Sequence, residues 1–380
     1  MTGNDKKKWL AALGAAAMLA ATGWVLADDA AAPAAPAAAD ASGSSGSDAS
    51  AGSADAGAGS GEAAAEAPAK PVKPLPSEIM PLADRGLMLG LVNTGEHIVT
   101  VGDRGEILVS NDGRRWAQVE TPVRSPLTAV YFVDAKNGWA VGHDAVILHT
   151  ADGGKTWELQ NFKPELEKPY LSVLFLDANT GFAVGAYGLA SKTTDGGKTW
   201  TDLEAPAIRG DELHLNDMIK LGNGDLFVAG EQGTLGLSTD KGATWEKLPS
   251  PYEASLFGAL PVGEKGALIF GLRGNVYISQ DVRAKQWTKV EVNTVATFFG
   301  GAPLPSGELA LVGLAGEIVV INPTTNAVRS LRIRKNEVDA NGRKIDDVVS
   351  STYSSVIPFK DGILVAGEEG VQSLSSVQAQ

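Results

Sequence analysis

The chain has no cysteine among its 380 residues, so disulfides, thiolate metal sites, cysteine nucleophiles and a lipidated cysteine are all excluded. Aromatics make up only 6% of it, and just four histidines are available to any metal or acid–base chemistry. Basic residues are also short. Thirty-two Lys and Arg stand against 45 Asp and Glu, a net charge of −13, which argues against a nucleic-acid partner because phosphates would meet a repelling surface. Few stretches carry a helical apolar period, and the one long uncharged run lies at the start.

That run follows the basic Lys6, Lys7 and Lys8 and extends from Trp9 to Ala27, with Val25-Leu26-Ala27 offering small residues before Asp28. Residues 1–27 therefore read as a signal peptide or as an N-terminal anchor, since 19 weakly apolar residues approach the roughly 20 needed to span a bilayer. Either way the rest of the chain is expected outside the cytoplasm, in the periplasm or an equivalent space, with residues 9–27 as the candidate inner-membrane anchor. Residues 28–74 are rich in Ala, Pro, Ser, Gly and acid, and are expected to form a disordered tether because they cannot bury enough surface to offset backbone entropy.

From residue 75 to 380 the chain repeats. Val101-Gly102, Val141-Gly142, Val184-Gly185, Ala229-Gly230, Phe270-Gly271, Val312-Gly313 and Ala366-Gly367 recur at intervals of 40, 43, 45, 41, 42 and 54 residues. Blade two shows the unit: Leu127 to Val133, Gly138 to Gly142, Val146 to Thr150 and Thr156 to Leu159 are four short β-rich runs between turn residues. Such a unit exposes an apolar face that only a neighbour can cover. The expected fold is all-β, a seven-bladed propeller of four-stranded antiparallel blades, and a monomer.

The turns between third and fourth strands carry the strongest motif: Ser110-Asn-Asp-Gly-Arg-Arg-Trp116, Thr150-Ala-Asp-Gly-Gly-Lys-Thr-Trp157, Thr193-Thr-Asp-Gly-Gly-Lys-Thr-Trp200 and Ser238-Thr-Asp-Lys-Gly-Ala-Thr-Trp245. Asp112, Asp152, Asp195 and Asp240 are suited to accept turn amides, and Trp116, Trp157, Trp200 and Trp245 to pack back on the hairpin, which makes the motif a fastener. A degraded copy runs from Ser279 to Trp287, and a sixth near Asn322-Pro323 lacks both aspartate and tryptophan. The seventh unit stops three strands in, at Val371 to Leu374, and Ser77-Glu-Ile-Met-Pro-Leu82 is the expected supplier of its fourth strand, knitting the two ends together.

These turns are Asp boxes, the bacterial neuraminidase repeat. Together with V-G-x-x-G they resemble the photosystem II assembly and stability factor family of seven-bladed propellers over about residues 75–376. The resemblance implies a non-enzymatic assembly or accessory factor, without cofactor, for a membrane protein or envelope complex. It also implies an arginine patch that holds the partner, transferable position by position only to Arg104 and Arg273. The missing lipidated cysteine, the acidic tether and the degraded late boxes depart from photosynthetic members and point to a non-photosynthetic bacterial one.

Loops joining strands two and three, and one blade to the next, share a face opposite the Asp boxes. Arg104, Arg124, Arg209 and Arg273 fall there, with Arg332, Arg334 and Arg343 in an insertion from Arg332 to Ser350, so seven of the twelve arginines are candidate partner-binding residues. Solvated loops also collect charge without function. A sialidase-like hydrolase or carbohydrate-binding propeller is one alternative, since the face also offers Tyr187, Asp103, Asp144, Glu231, Glu368 and Glu369, yet no tyrosine–glutamate pairing is visible. A periplasmic accessory subunit of an envelope transporter is another. His143 and His149 flank one hairpin without a third ligand, and no metal site is expected.

Overall fold

The computed structural model describes residues 72–338, 344–348 and 350–375. The signal or anchor segment and nearly all of the tether lie outside the described residues, as do Arg343 and residues 376–380. Among the described residues, six successive four-stranded antiparallel sheets and a seventh of three strands form the propeller. Their innermost strands are Met88–Asn93, Leu127–Phe132, Tyr170–Phe175, Leu215–Lys220, Leu256–Val262, Phe298–Pro303 and Tyr353–Phe359. Each touches the next, and the seventh touches the first, so the ring closes.

The recurring hydrophobic-Gly pair has a steric cause. In every blade the glycine ends the second strand where the chain enters the innermost one, and a Cβ on Gly142 would stand 2.0 Å from the Pro126 carbonyl oxygen. The next residue donates its N–H to that same carbonyl, as in His143 to Pro126 (2.9 Å) and Glu368 to Thr352 (3.1 Å). A bulge in the innermost strand, such as that between Leu127 and Ala129, lets the chain pass this point.

The Asp boxes sit at the opposite end. Thr150 Oγ1 donates to Asp152 Oδ1 (2.8 Å) and accepts from Gly154 N–H, while Asp152 accepts from Lys155 N, Thr156 N and Thr156 Oγ1 (2.6 Å). Asp195 and Asp240 repeat this with Thr199 and Thr244, and Asp112 uses Arg114 and Arg115. Each box tryptophan packs toward the preceding blade: Trp157 with Val99 and Val101, Trp245 with Leu174 and Phe182, and Trp116 with Ile357 and Leu364 of blade seven. Trp200 meets Phe175 edge-on at 5.9 Å, and Phe175 stacks at 3.4 Å on the wholly buried Trp139.

The expected closing strand is not one. Residues 77–82 form no strand; they lie along the outermost strand of blade one, with Ser77 N donating to Thr121 O, Met80 N to Gln118 Oε1 and Gln118 Nε2 to Glu78 O. Pro76 and Pro81 lack the N–H a ladder needs, and side chains satisfy the neighbouring backbone instead. Closure falls to the next residues. The short 3-10 turn Ala83–Arg85 brings Asp84 O to within 1.9 Å of where a Gly370 Cβ would lie, just as Val123 O approaches Gly105 in blade one. The insertion contributes two antiparallel strands, Arg334–Val338 and Lys344–Val348.

Two outcomes test this assignment. Trp157, 6% exposed, leaves a cavity between blades when cut to alanine; W157A should lose roughly 3–5 kcal/mol in denaturant titration, and an unchanged midpoint would show that it does not wedge the blades. The box carboxylates titrate low. Asp195 and Asp240 are drawn to about 2, chiefly by hydrogen bonds from Thr199 and Thr244; in Asp152 partial burial pushes up but bonds from Thr156 and Thr150 pull further down, to about 2. Because the folded values lie below the ordinary 3.8, their stabilisation is complete above about pH 4 and is lost as the pH falls through about 2. Melting temperature followed from pH 6 to 2 should fall less steeply in an Asp152→Asn, Asp195→Asn double variant than in the parent.

Candidate docking face

The Gly-x-x-Gly turns build the loop face as well as the ring. In six blades the second variable residue is left-handed: Arg104, Asp144, Tyr187, Gln232, Arg273 and Ala315 have φ between 50° and 57°. One side chain per blade is thus displayed at the same place on a backbone fixed from below. The positions carry little shared chemistry, and the two arginines stand four blades apart in chain order.

The arginines expected to gather there divide into two kinds. Three fasten loops to the scaffold. Arg209, at the end of the short helix Pro206–Arg209, forms a two-pronged pair with Asp202 (2.9 and 3.0 Å) and donates to Gly188 O and Leu203 O. Arg124 reaches Pro76 O (2.7 Å) and Glu78 (2.9 Å), pinning the entering chain to blade one. Arg332 pairs with the buried Glu317 at 2.5 Å and donates to Gly316 O.

Arg104 and Arg273 are displayed. Arg104 is 42% exposed and lies 3.9 Å from the Asp103 carboxylate. Arg273 forms no ion pair with the described residues, and its turn lies against Val295, 85% exposed, since a Gly274 Cβ would sit 3.4 Å from Val295 Cα. Leu314, at the corresponding turn of blade six, is 38% exposed. Blades five and six therefore join one displayed guanidinium to exposed apolar surface. Arg334 opens the inserted strand pair.

Two polar groupings were not foreseen as such. His214 is buried between the Tyr187 ring, edge-on at 4.7 Å, and Glu231, whose carboxylate lies 3.9 Å from Nε2 and accepts the backbone N–H of His214; burial lowers the His214 pKa while Glu231 opposes the shift. Tyr187 and Glu231 thus meet the same histidine and are not bonded to each other, which is packing and not the paired nucleophile of a sialidase. Among the described residues no group of three or more potential ligands could hold a metal ion.

The second grouping lies in the central channel, a space of about 470 Å³ lined by the innermost strands. Asp217 accepts from Ser172 Oγ (2.9 Å) and Ala259 N (3.1 Å), bridging blades three, four and five, and desolvation raises its pKa against these bonds. Thr128, Asn216 and Ser354 donate across to Tyr170 O, Leu256 O and Met88 O at 2.7–2.8 Å, each linking its blade to the next. An aspartate between Leu215 and Met218, in a segment read as an innermost strand, was the available signal.

The two kinds of arginine should respond differently. Arg332→Met strands the Glu317 carboxylate in a buried place and should cost about 1–3 kcal/mol in thermal or denaturant unfolding, whereas Arg273→Met should leave stability within about 0.5 kcal/mol. Equal effects would remove the division.

Comparison with known proteins agrees with this construction. The profile of the family described as "Photosynthesis system II assembly factor YCF48" matches residues 108–171 and 160–327. The photosystem II assembly protein Ycf48 of Thermosynechococcus vestitus is 36% identical over 47 residues, and the chloroplastic photosystem II stability/assembly factor HCF136 of Cyanidioschyzon merolae is 42% identical over 53. These stretches span 12% and 13% of this chain and only 14% and 12% of those two proteins. The solved structure of YCF48 bound to D1 peptide superposes with a TM-score of 0.59 at 18% identity, covering 80% of this chain and 100% of that one, and shows the shared fold. With the family profile covering more than half of its length, the chain belongs to the photosystem II assembly factor YCF48 family of Asp-box propellers.

Proposed function

We propose that this chain is a non-enzymatic assembly or stability factor for a membrane protein complex, acting outside the cytoplasm and docking through its loop face. Support comes from family membership and from a YCF48 relative whose structure holds a D1 peptide. The observation that carries the docking surface is the displayed Arg273 beside exposed Val295 and Leu314, because a guanidinium with no ion pair among the described residues, next to apolar surface, suits an acidic, partly apolar segment. Arg104 extends the basic face, and Arg334, which opens the inserted strand pair, is proposed to join it. Arg124, Arg209 and Arg332 serve the same purpose indirectly, by holding the loops. Residues 9–27, as signal or anchor, deliver the propeller to the envelope. Among the described residues no helix is long and apolar enough to cross a membrane.

Affinity capture from detergent-solubilised envelope, with the parent and an Arg104→Glu, Arg273→Glu, Arg334→Glu variant, tests this reading. The variant should melt within a few degrees of the parent and lose at least tenfold in capture of a defined membrane complex, with the parent's capture weakening as salt rises. Undiminished capture by the triple variant would overturn the basic docking face. Cleavage of a fluorogenic sialoside by the pure protein would overturn the non-enzymatic reading.

A further inference from the structure

The bulge that lets each innermost strand past its glycine falls on the strand's second residue, which has no partner opposite it and is turned out of the ladder. All seven of these residues line the central channel. Three of them, Thr128, Asn216 and Ser354, donate to carbonyls of the next blade. The other four, Leu89, Leu171, Phe257 and Phe299, are apolar and half-buried, and the channel is where they are exposed. Because the innermost strands start beneath the glycine turns, this ring lies at the loop-face end.

Chemistry breaks the repeat on one side of the ring. The residue after the bulge is Gly, Ala or Ser in six blades and Asp217 in blade four. Asp217 takes donors from Ser172 Oγ, the Ala259 N–H and the Met218 N–H, none of them a cation, and among the described residues no ion pair reaches it. A carboxylate has about four acceptor positions, so these donors leave room for another. Desolvation raises its pKa, the mark of a carboxylate short of compensating charge. Lys220, the other charged residue lining the channel, ends the same strand roughly 10 Å further along. Asn216 donates to Leu256 O and Asp217 accepts from Ala259 N, so blade four brackets Phe257. The Phe257 ring in turn lies 5.3 Å from that of Phe299, centre to centre.

We propose that the loop-face end of the channel binds a small organic ammonium ion carrying an apolar or aromatic group, with the ammonium on Asp217 beside Phe257 and Phe299 and the apolar group against Leu89 and Leu171. An ammonium brings both the missing donor and the missing charge. Aromatic rings attract the same cation. The space of about 470 Å³ is of pocket size, within the roughly 300–1,000 Å³ usual for small-molecule sites. A purely structural aspartate accounts for the bridge between blades three, four and five, but not for two phenylalanines turned into the channel next to it. The site needs no partner protein and none of the loop-face arginines, so its failure and failure of the docking reading are separate results.

Isothermal titration of the full chain with phenethylammonium tests this. One saturable site is expected, with the neutral analogue phenethyl alcohol binding at least tenfold more weakly and the anion phenylpropionate not binding. Asp217→Asn should weaken phenethylammonium at least tenfold, and Phe299→Leu, which keeps apolar bulk but removes the ring, at least threefold. Melting temperature verifies the fold of each variant; if Asp217→Asn does not fold, Phe299→Leu and the ligand series decide. Absence of saturable binding, equal binding of the alcohol, or undiminished binding by a folded variant would overturn the proposal. Binding of acetyl-lysine amide without binding of phenethylammonium would assign the channel to a lysine side chain of a protein partner and overturn it too.

Discussion

The structure depends on one hydrogen bond made seven times: the carbonyl just before each innermost strand accepts the N–H that follows the second strand's terminal glycine, from Asp103 to Leu87 through Glu368 to Thr352. The contact is so close that only a residue without Cβ fits there; at all seven glycines the added atom would meet a backbone oxygen within 2.3 Å. It fixes the entry of each blade, forces the bulge in the innermost strand, and sets the turn that displays one left-handed residue. Ring geometry and the placement of loop-face side chains thus share one cause.

The two ends of the propeller are consequently different kinds of surface. At the box end, aspartate and hydroxyl side chains absorb turn amides, and tryptophans wedge blade against blade, so the chemistry is spent on cohesion. At the loop end, charge both holds and displays. Arg124, Arg209 and Arg332 anchor connections, and Arg273 faces outward beside apolar surface. A rigid scaffold with exposed, individually variable loops is where recognition residues can change without loss of the fold.

How much of this was legible in the sequence follows from range. Box and turn motifs are local, their hydrogen bonds spanning two to four residues, so Asp152 with Thr156 and the Val-Gly pairs could be read directly. The failures are long-range. Ser77 to Leu82 has strand-like residues, but its partner depends on Gln118 and Thr121, some 40 residues away. Loop position alone groups the seven arginines in the sequence, yet whether Arg209, Arg124 and Arg332 are displayed depends on Asp202, Glu78 and Glu317, which no spacing rule connects to them. Asp217 is held by Ser172 and Ala259 from neighbouring blades, and only the ring brings those together.

The central claim is that seven repeats, joined by these stitches and by blade-to-blade bonds such as Ser354 to Met88, form one closed cooperative ring. Native-state amide hydrogen exchange resolved by peptide tests it most directly. The account predicts that the innermost strands Met88–Asn93 and Tyr353–Phe359, from opposite ends of the chain, exchange with the same opening free energy as Tyr170–Phe175 and Leu215–Lys220 in the middle. Terminal innermost strands that open well before the central ones, as in an unclosed array of repeats, would contradict it.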